Sequence, residues 1–399
     1  MININDYLDD LPDDIEFIDI SDNNLLELPD LSRFYNLKRL DCSKNKITII
    51  PYINDGLIEL NCSYNNIYCI SVLNNNLEEL DCSKNNLTIL PNLNDRLKRL
   101  YCSSNKLLSL PILNDNLVLI ICQYNCLTYL PKLNDKLEKL DCSNNKIKEI
   151  SSLNNLYTLI CSNNYFSSLP DLNQNLVSLD FNNNKVTYLP ILNKNLEYLS
   201  FSSNKITFLP DDIDKLDKLC YLECSYNFLT HLPNLGPNLE SLTCSGNKLT
   251  NLPNLTPKLK TLICSYNLLT YIPELNDNLT TLYCSNNNIT FLPYLTDNLE
   301  YLICNNNNFD YLAHFDSRLL NIANNQNVMY NLINNQYGQN IKRNINIINK
   351  FIYLFNYLKY KDKFINWMWY AKEKIITKTY APNNIASIMN RQSFVQLKN

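Results

Sequence analysis

Glycine is scarce in this chain, with 4 in 399 residues, and histidine is scarcer still, with 2. So few scattered glycines leave no Gly-rich loop to cradle a phosphate. The two histidines, His231 and His314, leave no histidine cluster with zinc spacing. Charged residues make up only 19 % of the sequence, while hydrophobic residues reach an ordinary 45 %. No run approaches the roughly 18 apolar residues that a membrane helix needs. The start, Met1 to Asp14, is acidic and lacks the basic and apolar segments of a signal peptide. Paired carboxylates and nucleophile-plus-base patterns are also missing. These shortages predict a protein with no catalytic residues, cofactor, metal site or transmembrane segment, located inside a cell.

Asparagine, by contrast, is abundant and recurs at a nearly fixed interval. Asn105, Asn125 and Asn145 stand twenty residues apart, within a series of fifteen copies from Asn23 to Asn307. A period of this length marks a repeat architecture. One unit contains Leu97, Leu100, Cys102, Asn105, Leu107, Leu110, Pro111 and Leu113. Each apolar set is too small to bury itself and has to stack on its neighbours. Leu100 and Cys102 alternate with Arg99 and Tyr101, the period of a half-buried strand. Copies running in the same direction require one parallel sheet, with a crossover between successive strands. Twenty residues leave little room for a crossover helix, and prolines such as Pro111, Pro131 and Pro253 predict an extended return arm. The asparagine column is expected to satisfy backbone groups where the chain turns out of each strand.

Twelve of the fifteen cysteines, including Cys102, Cys122 and Cys142, occupy one inward column in which Ile20, Phe181 and Phe201 substitute for cysteine. A column that accepts phenylalanine is a packing column. It predicts free, buried thiols in a reducing compartment rather than disulfides or metal ligands.

The unit resembles the leucine-rich repeat. Its return arm, seen as Leu252-Pro253-Asn254-Leu255-Thr256-Pro257-Lys258-Leu259, looks like the short repeats of bacterial type III effector proteins. Several copies place Asn-Asp where that class has proline, as at Asn94-Asp95, Asn114-Asp115 and Asn134-Asp135. The Cys-Ser-x-Asn repeats, with their bias towards Asn, Ile, Lys and Tyr, also resemble those of giant amoebal viruses. The resemblance implies a mainly β form of the α/β solenoid, a curved horseshoe with one parallel sheet on its concave face and extended convex arms. Some of the bacterial effectors carry a ubiquitin ligase domain with a catalytic cysteine after the repeats, but here the last cysteine, Cys304, lies within them. Leu11-Pro12-Asp13-Asp14-Ile15 looks like the opening of an F-box, which would make the chain a substrate adaptor for a ubiquitin ligase. The first repeat follows at Ile15 and leaves no space for such a module.

The pattern divides the chain into a short acidic cap (1–14), the repeats (15–312), a degenerate repeat and connector (313–339) and a basic region (340–399). From Asn340 onward eleven Lys or Arg face two acids, a net of +9, so residues 1–339 carry −13 of the total −4. Ile345, Ile348, Ile352, Phe355 and Leu358 fall at helical spacing, which predicts an α-helical C-terminal cap. Binding of nucleic acid or a membrane surface by this basic, aromatic helix is the alternative expectation.

Inward positions are held by packing, so a ligand should be read by the outward ones. Tyr101, Leu119, Ile121, Tyr124, Tyr198, Tyr221, Tyr226, Ile263, Tyr266, Tyr283, Tyr301 and Ile303 place more apolar and aromatic surface on the sheet face than solubility requires. This predicts a monomeric scaffold that binds a protein ligand on its concave face, with a host protein as the ligand if the chain is viral.

Overall fold

The computed structural model describes residues 4–296 and 298–308. All of them belong to the first of the chain's two units, Met1–Asn335. The connector (313–339), the predicted helical cap (340–399) and His314 lie outside the described residues.

A short helix, α1 (Ile4–Asp9), opens the described chain and buries Leu8 against the first coil. The Arg33 guanidinium donates to the Leu11 carbonyl at 3.1 Å and anchors the segment that follows. Between Asp9 and the first strand the described chain forms turns, not the helices of an F-box.

A parallel sheet of fifteen strands follows. It begins with β1 (Phe17–Asp19), β2 (Arg39–Asp41), β4 (Glu59–Asn61), β6 (Glu79–Asp81) and β7 (Arg99–Tyr101). It continues through β8 (Leu119–Ile121), β9 (Lys139–Asp141), β10 (Thr158–Ile160), β11 (Ser178–Asp180) and β12 (Tyr198–Ser200). It ends with β13 (Tyr221–Glu223), β14 (Ser241–Thr243), β15 (Thr261–Ile263), β16 (Thr281–Tyr283) and β17 (Tyr301–Ile303). Pairing is strictly in register, so Leu80, Leu100, Ile120 and Leu140 stack as one column. This register buries the same face of every repeat: Leu100, Cys102 and Leu107 are fully enclosed, as are their equivalents along the stack.

The return arms are mostly irregular and extended, and Pro210, at φ −65° and ψ 141°, has polyproline geometry. In the first repeats two arms also pair, as β3 (Ile49–Ile50) with β5 (Cys69–Ile70). The longer repeat carries a 3-10 turn over Asp211–Lys215 that buries Ile213, while Leu216 just beyond it is also enclosed.

The asparagine column works as a hydrogen-bonding ladder. The Asn125 amide group donates to the Cys122 carbonyl in its own repeat and to the Cys102 carbonyl in the preceding one, at 3.0 and 2.9 Å. Its side-chain oxygen accepts from the Leu107 N–H at 3.0 Å. Asn105 and Asn145 repeat the arrangement one rung to either side.

A second asparagine ladder runs along the return side, on the first residue of the repeats' Asn-Asp pairs and its equivalents. The Asn114 amide group donates to the backbone carbonyls of Asn94 and Leu97, and its oxygen accepts from the N–H groups of Asn116 and Leu117. Asn134 and Asn193 make the equivalent two donations in their repeats, and the oxygen of each accepts from the N–H two residues on. Where the column holds Thr256, the hydroxyl donates to the Leu239 carbonyl at 3.0 Å. Gly236 occupies the position where a Cβ would stand 2.8 Å from the Leu216 carbonyl oxygen.

All twelve column cysteines are buried and free. Burial pushes the Cys42, Cys244 and Cys304 thiols up to about 12, and the remaining nine also well above their ordinary range. The reactive species is the thiolate, so the column should be inert in the folded protein. Cys69 is exposed, and Cys126 and Cys220 are partly so. Iodoacetamide is therefore expected to add to no more than these three in the native protein and to all fifteen cysteines after unfolding, which intact-mass measurement would show directly.

Candidate binding surface

Each three-residue strand buries its central residue and turns the first and third towards the open face of the sheet. Nine of the twelve predicted contact residues occupy such positions: Tyr101, Leu119, Ile121, Tyr198, Tyr221, Ile263, Tyr283, Tyr301 and Ile303. Register brings them into two groups. Tyr101 stands beside Ile121 near the start, and Ile263, Tyr283 and Ile303 form a row near the end. Tyr198 and Tyr221 bridge β12 and β13 with ring centroids 6.3 Å apart. Most of these side chains are half-buried by their neighbours, while Tyr221 and Tyr301 remain 47 % and 46 % exposed.

Tyr124, Tyr226 and Tyr266 are corrections to the predicted set. They lie on the turn that follows the strand, with φ of 55°, 52° and 57°. Alternation along the strand suggests that the outward pattern continues, but the chain bends into the left-handed region before each ladder asparagine. That region costs an L-residue about 1–2 kcal/mol. The neighbouring repeat offsets the cost by fixing the turn: the Tyr124 N–H donates to the Ser143 carbonyl, and the Tyr226 N–H to that of Ser245. Only Gly246 meets the requirement in the usual way, at φ 64°. A Cβ there would stand 2.5 Å from the Tyr226 ring, so the glycine also makes room for this tyrosine.

The carboxylates on the same face also have a structural reason that sequence variation alone does not reveal. Asp41, Asp81 and Asp141 each accept the N–H of the serine two residues on, at 2.9–3.0 Å, and so help to start the turn. Arg99 pairs with Glu79 across two strands at 2.6 Å. Asp180 accepts from the Asn182 N–H and lies close enough to Glu223 and Asp141 to feel both charges. Burial, reinforced by those two acids, raises its pKa above the ordinary 3.8 in spite of its hydrogen bonds. A raised folded-state value means that folding takes up a proton between 3.8 and the shifted value. Stability is therefore lost as pH rises through that window and stays reduced above it. Asp180→Asn is expected to raise the unfolding midpoint relative to wild type at pH 7, with the difference vanishing below 3.8. Parallel denaturation curves would check the sign.

Among the described residues no group of three His, Cys, Asp or Glu side chains is arranged to hold a metal ion, and no helix is long and apolar enough to cross a membrane. The sheet face carries tyrosine rings, β-branched side chains and hydroxyls beside these carboxylates and Arg99.

The Leucine Rich Repeat family model matches residues 195–216 and 278–297. Among solved structures, the chain is similar to YopM of Yersinia pestis, described as a leucine-rich effector protein. The identity is 32 % over 73 % of this chain and 88 % of that one, with a TM-score of 0.64. A leucine-rich-repeat protein of Leptospira interrogans is 28 % identical over 77 % of this chain and 93 % of that one, with a TM-score of 0.66. The functional domain of InlJ from Listeria monocytogenes, which includes a cysteine ladder, is 27 % identical over 73 % of this chain and 68 % of that one, with a TM-score of 0.64. No curated protein matches the sequence.

Proposed function

The chain belongs to the leucine-rich-repeat family, and from that premise we propose that it is a non-catalytic scaffold whose sheet face binds a protein ligand. One observation carries this reading: the last four strands present eight outward residues, Ser241, Thr243, Thr261, Ile263, Thr281, Tyr283, Tyr301 and Ile303, with no charge among them. A neutral patch with aromatic residues loses little on desolvation and supplies the side chains that dominate interface energetics. The acids and ion pairs of β2 to β7 form a polar zone ahead of it. On this reading the chain acts as a monomer in a reducing compartment, and its partner is a protein of a host cell.

The test is a variant with Tyr221→Glu, Tyr283→Glu and Tyr301→Glu. All three residues project from the sheet face, so the unfolding midpoint should stay close to wild type while affinity recovery of partners from the native cell is lost. Recovery of the same partners by a folded triple variant would show that the ligand binds elsewhere.

A further inference from the structure

The turn after each strand presents two residues to solvent, one on either side of the ladder asparagine, and together they form a row along one edge of the sheet. From Lys44 to Asn288 this row holds Lys44, Lys46, Lys84, Lys106, Lys146, Lys185, Lys205 and Lys248, and no aspartate or glutamate. All eight lysines are exposed, and none forms an ion pair with an acid of the described chain. In a protein of net charge −4, an edge that gathers cations and excludes acids over thirteen repeats is a segregated field. Aromatic residues alternate with the lysines in the same row: Tyr64, Tyr124, Tyr165, Tyr226, Phe228 and Tyr266 are all exposed. Lys84, Lys185 and Lys248 lie over the rings of Tyr64, Tyr165 and Phe228 in the preceding repeat, at 4.1, 4.8 and 5.4 Å. The row is also held rigidly in place. The N–H groups of Lys106, Lys146, Lys185 and Lys205 each donate to a carbonyl of the preceding repeat at 2.8 Å.

We propose that this lysine and aromatic edge binds single-stranded nucleic acid, with lysines meeting phosphates and rings stacking on bases. Strands in a sheet are about 4.8 Å apart, so lysines one or two repeats apart offer cations roughly every 5–10 Å along a line. A flexible strand can adjust its phosphates to such a line. A duplex keeps its bases paired inside and gives the interleaved rings nothing to stack on, whereas a single strand exposes them. An acidic polypeptide would use the lysines but not the rings. The edge is separate from the strand positions of the sheet face, so failure of either proposal leaves the other standing.

The experiment uses the full chain and a labelled oligouridylate, with binding followed by fluorescence anisotropy across a salt titration. Replacing Lys106, Lys146, Lys185 and Lys205 with Gln is expected to weaken binding more than tenfold and to reduce the slope of log K against log salt by about 3, at about 0.7 for each phosphate that no longer meets a lysine. Tyr124→Ala with Tyr266→Ala, at two exposed rings with no lysine over them, should weaken binding while leaving that slope unchanged. A parallel variant with Lys359→Gln, Lys361→Gln and Lys363→Gln controls for the basic C-terminal region and should retain the edge-dependent part. The proposal is overturned by any of three results: no binding at low salt, unchanged binding in the lysine-edge variant, or equal affinity for polyglutamate.

Discussion

Asn145→Ala is expected to cost about 2 kcal/mol of stability, within the roughly 1–3 kcal/mol for stranding one buried polar group. The bonding pattern identifies which group is stranded. The Asn145 amide group donates to the carbonyls of Cys122, Cys142 and Ser143 at 3.1 Å. Two of those carbonyls keep a second donor, because Asn125 also reaches Cys122 and Asn164 also reaches Cys142. The rungs overlap, so removing one amide leaves these acceptors occupied. The Leu127 N–H is different: it donates to the Asn145 side-chain oxygen at 3.0 Å, in the buried interior. Losing that acceptor accounts for most of the expected cost. Asn145→Asp makes the distinction testable, because it keeps an oxygen for Leu127 but faces three carbonyl oxygens with a carboxylate. At pH 7 it should be less stable than the alanine variant. Burial without donors raises the new carboxyl's pKa, so its stability should recover as pH falls and the protonated group becomes a donor again. Urea midpoints for the three proteins at neutral and mildly acidic pH would decide it. An aspartate variant as stable as wild type at pH 7 would mean that the amide donors contribute nothing.

Why some features are legible in the sequence and others are not follows from the repeat itself. A column occupied many times over by leucine, cysteine or asparagine reports a constraint that acts in every coil. The inward face, the parallel sheet and the first ladder can all be read from Leu100, Cys102 and Asn105 alone. The second ladder leaves the same signal, since Asn74, Asn94, Asn114 and Asn134 are also twenty apart. Comparison with a proline-bearing repeat class turns that signal into an apparent deviation. The left-handed turn leaves no signal of the expected kind. Glycine normally marks such a position, but here Lys84, Ser104, Tyr124 and Asn144 occupy it, held by bonds between repeats. The turn tyrosines therefore look like strand residues in the sequence. The sheet-face aspartates show the opposite difficulty: they vary as a binding surface would, yet Asp41, Asp81 and Asp141 each support a local turn. Outward position can be deduced for most of the candidate site. Which outward residues are free to serve a ligand cannot, because that depends on bonds between coils.

Phe181→Cys installs the residue that twelve other repeats use at this position, and it is nonetheless expected to cost about 3 kcal/mol. Phe181 and Phe201 are fully buried and stack with centroids 5.7 Å apart and planes 17° from parallel. Removing one ring forfeits that stacking, worth about 0.5–1.5 kcal/mol, and leaves a cavity that flanking coils pinned by two asparagine ladders cannot readily close. The coils also trade volume within themselves. The repeat with Cys161 carries Phe166 on the far side of its turn, whereas the repeat with Phe181 carries the smaller Val186 there, and all four are fully buried. Phe181 thus trades volume with Val186, whereas Phe201 shares its coil with Ile206, the residue type that Cys142 has at Ile147. The reverse change, Cys142→Phe, should cost about 1–3 kcal/mol through overpacking. Adding Val186→Leu to Phe181→Cys should recover part of the loss, giving a double variant more stable than the sum of the single changes predicts. Thermal unfolding of the four proteins would test this. If Phe181→Cys alone matched wild type, the phenylalanine pair would be a tolerated substitution and not part of the packing of these two coils.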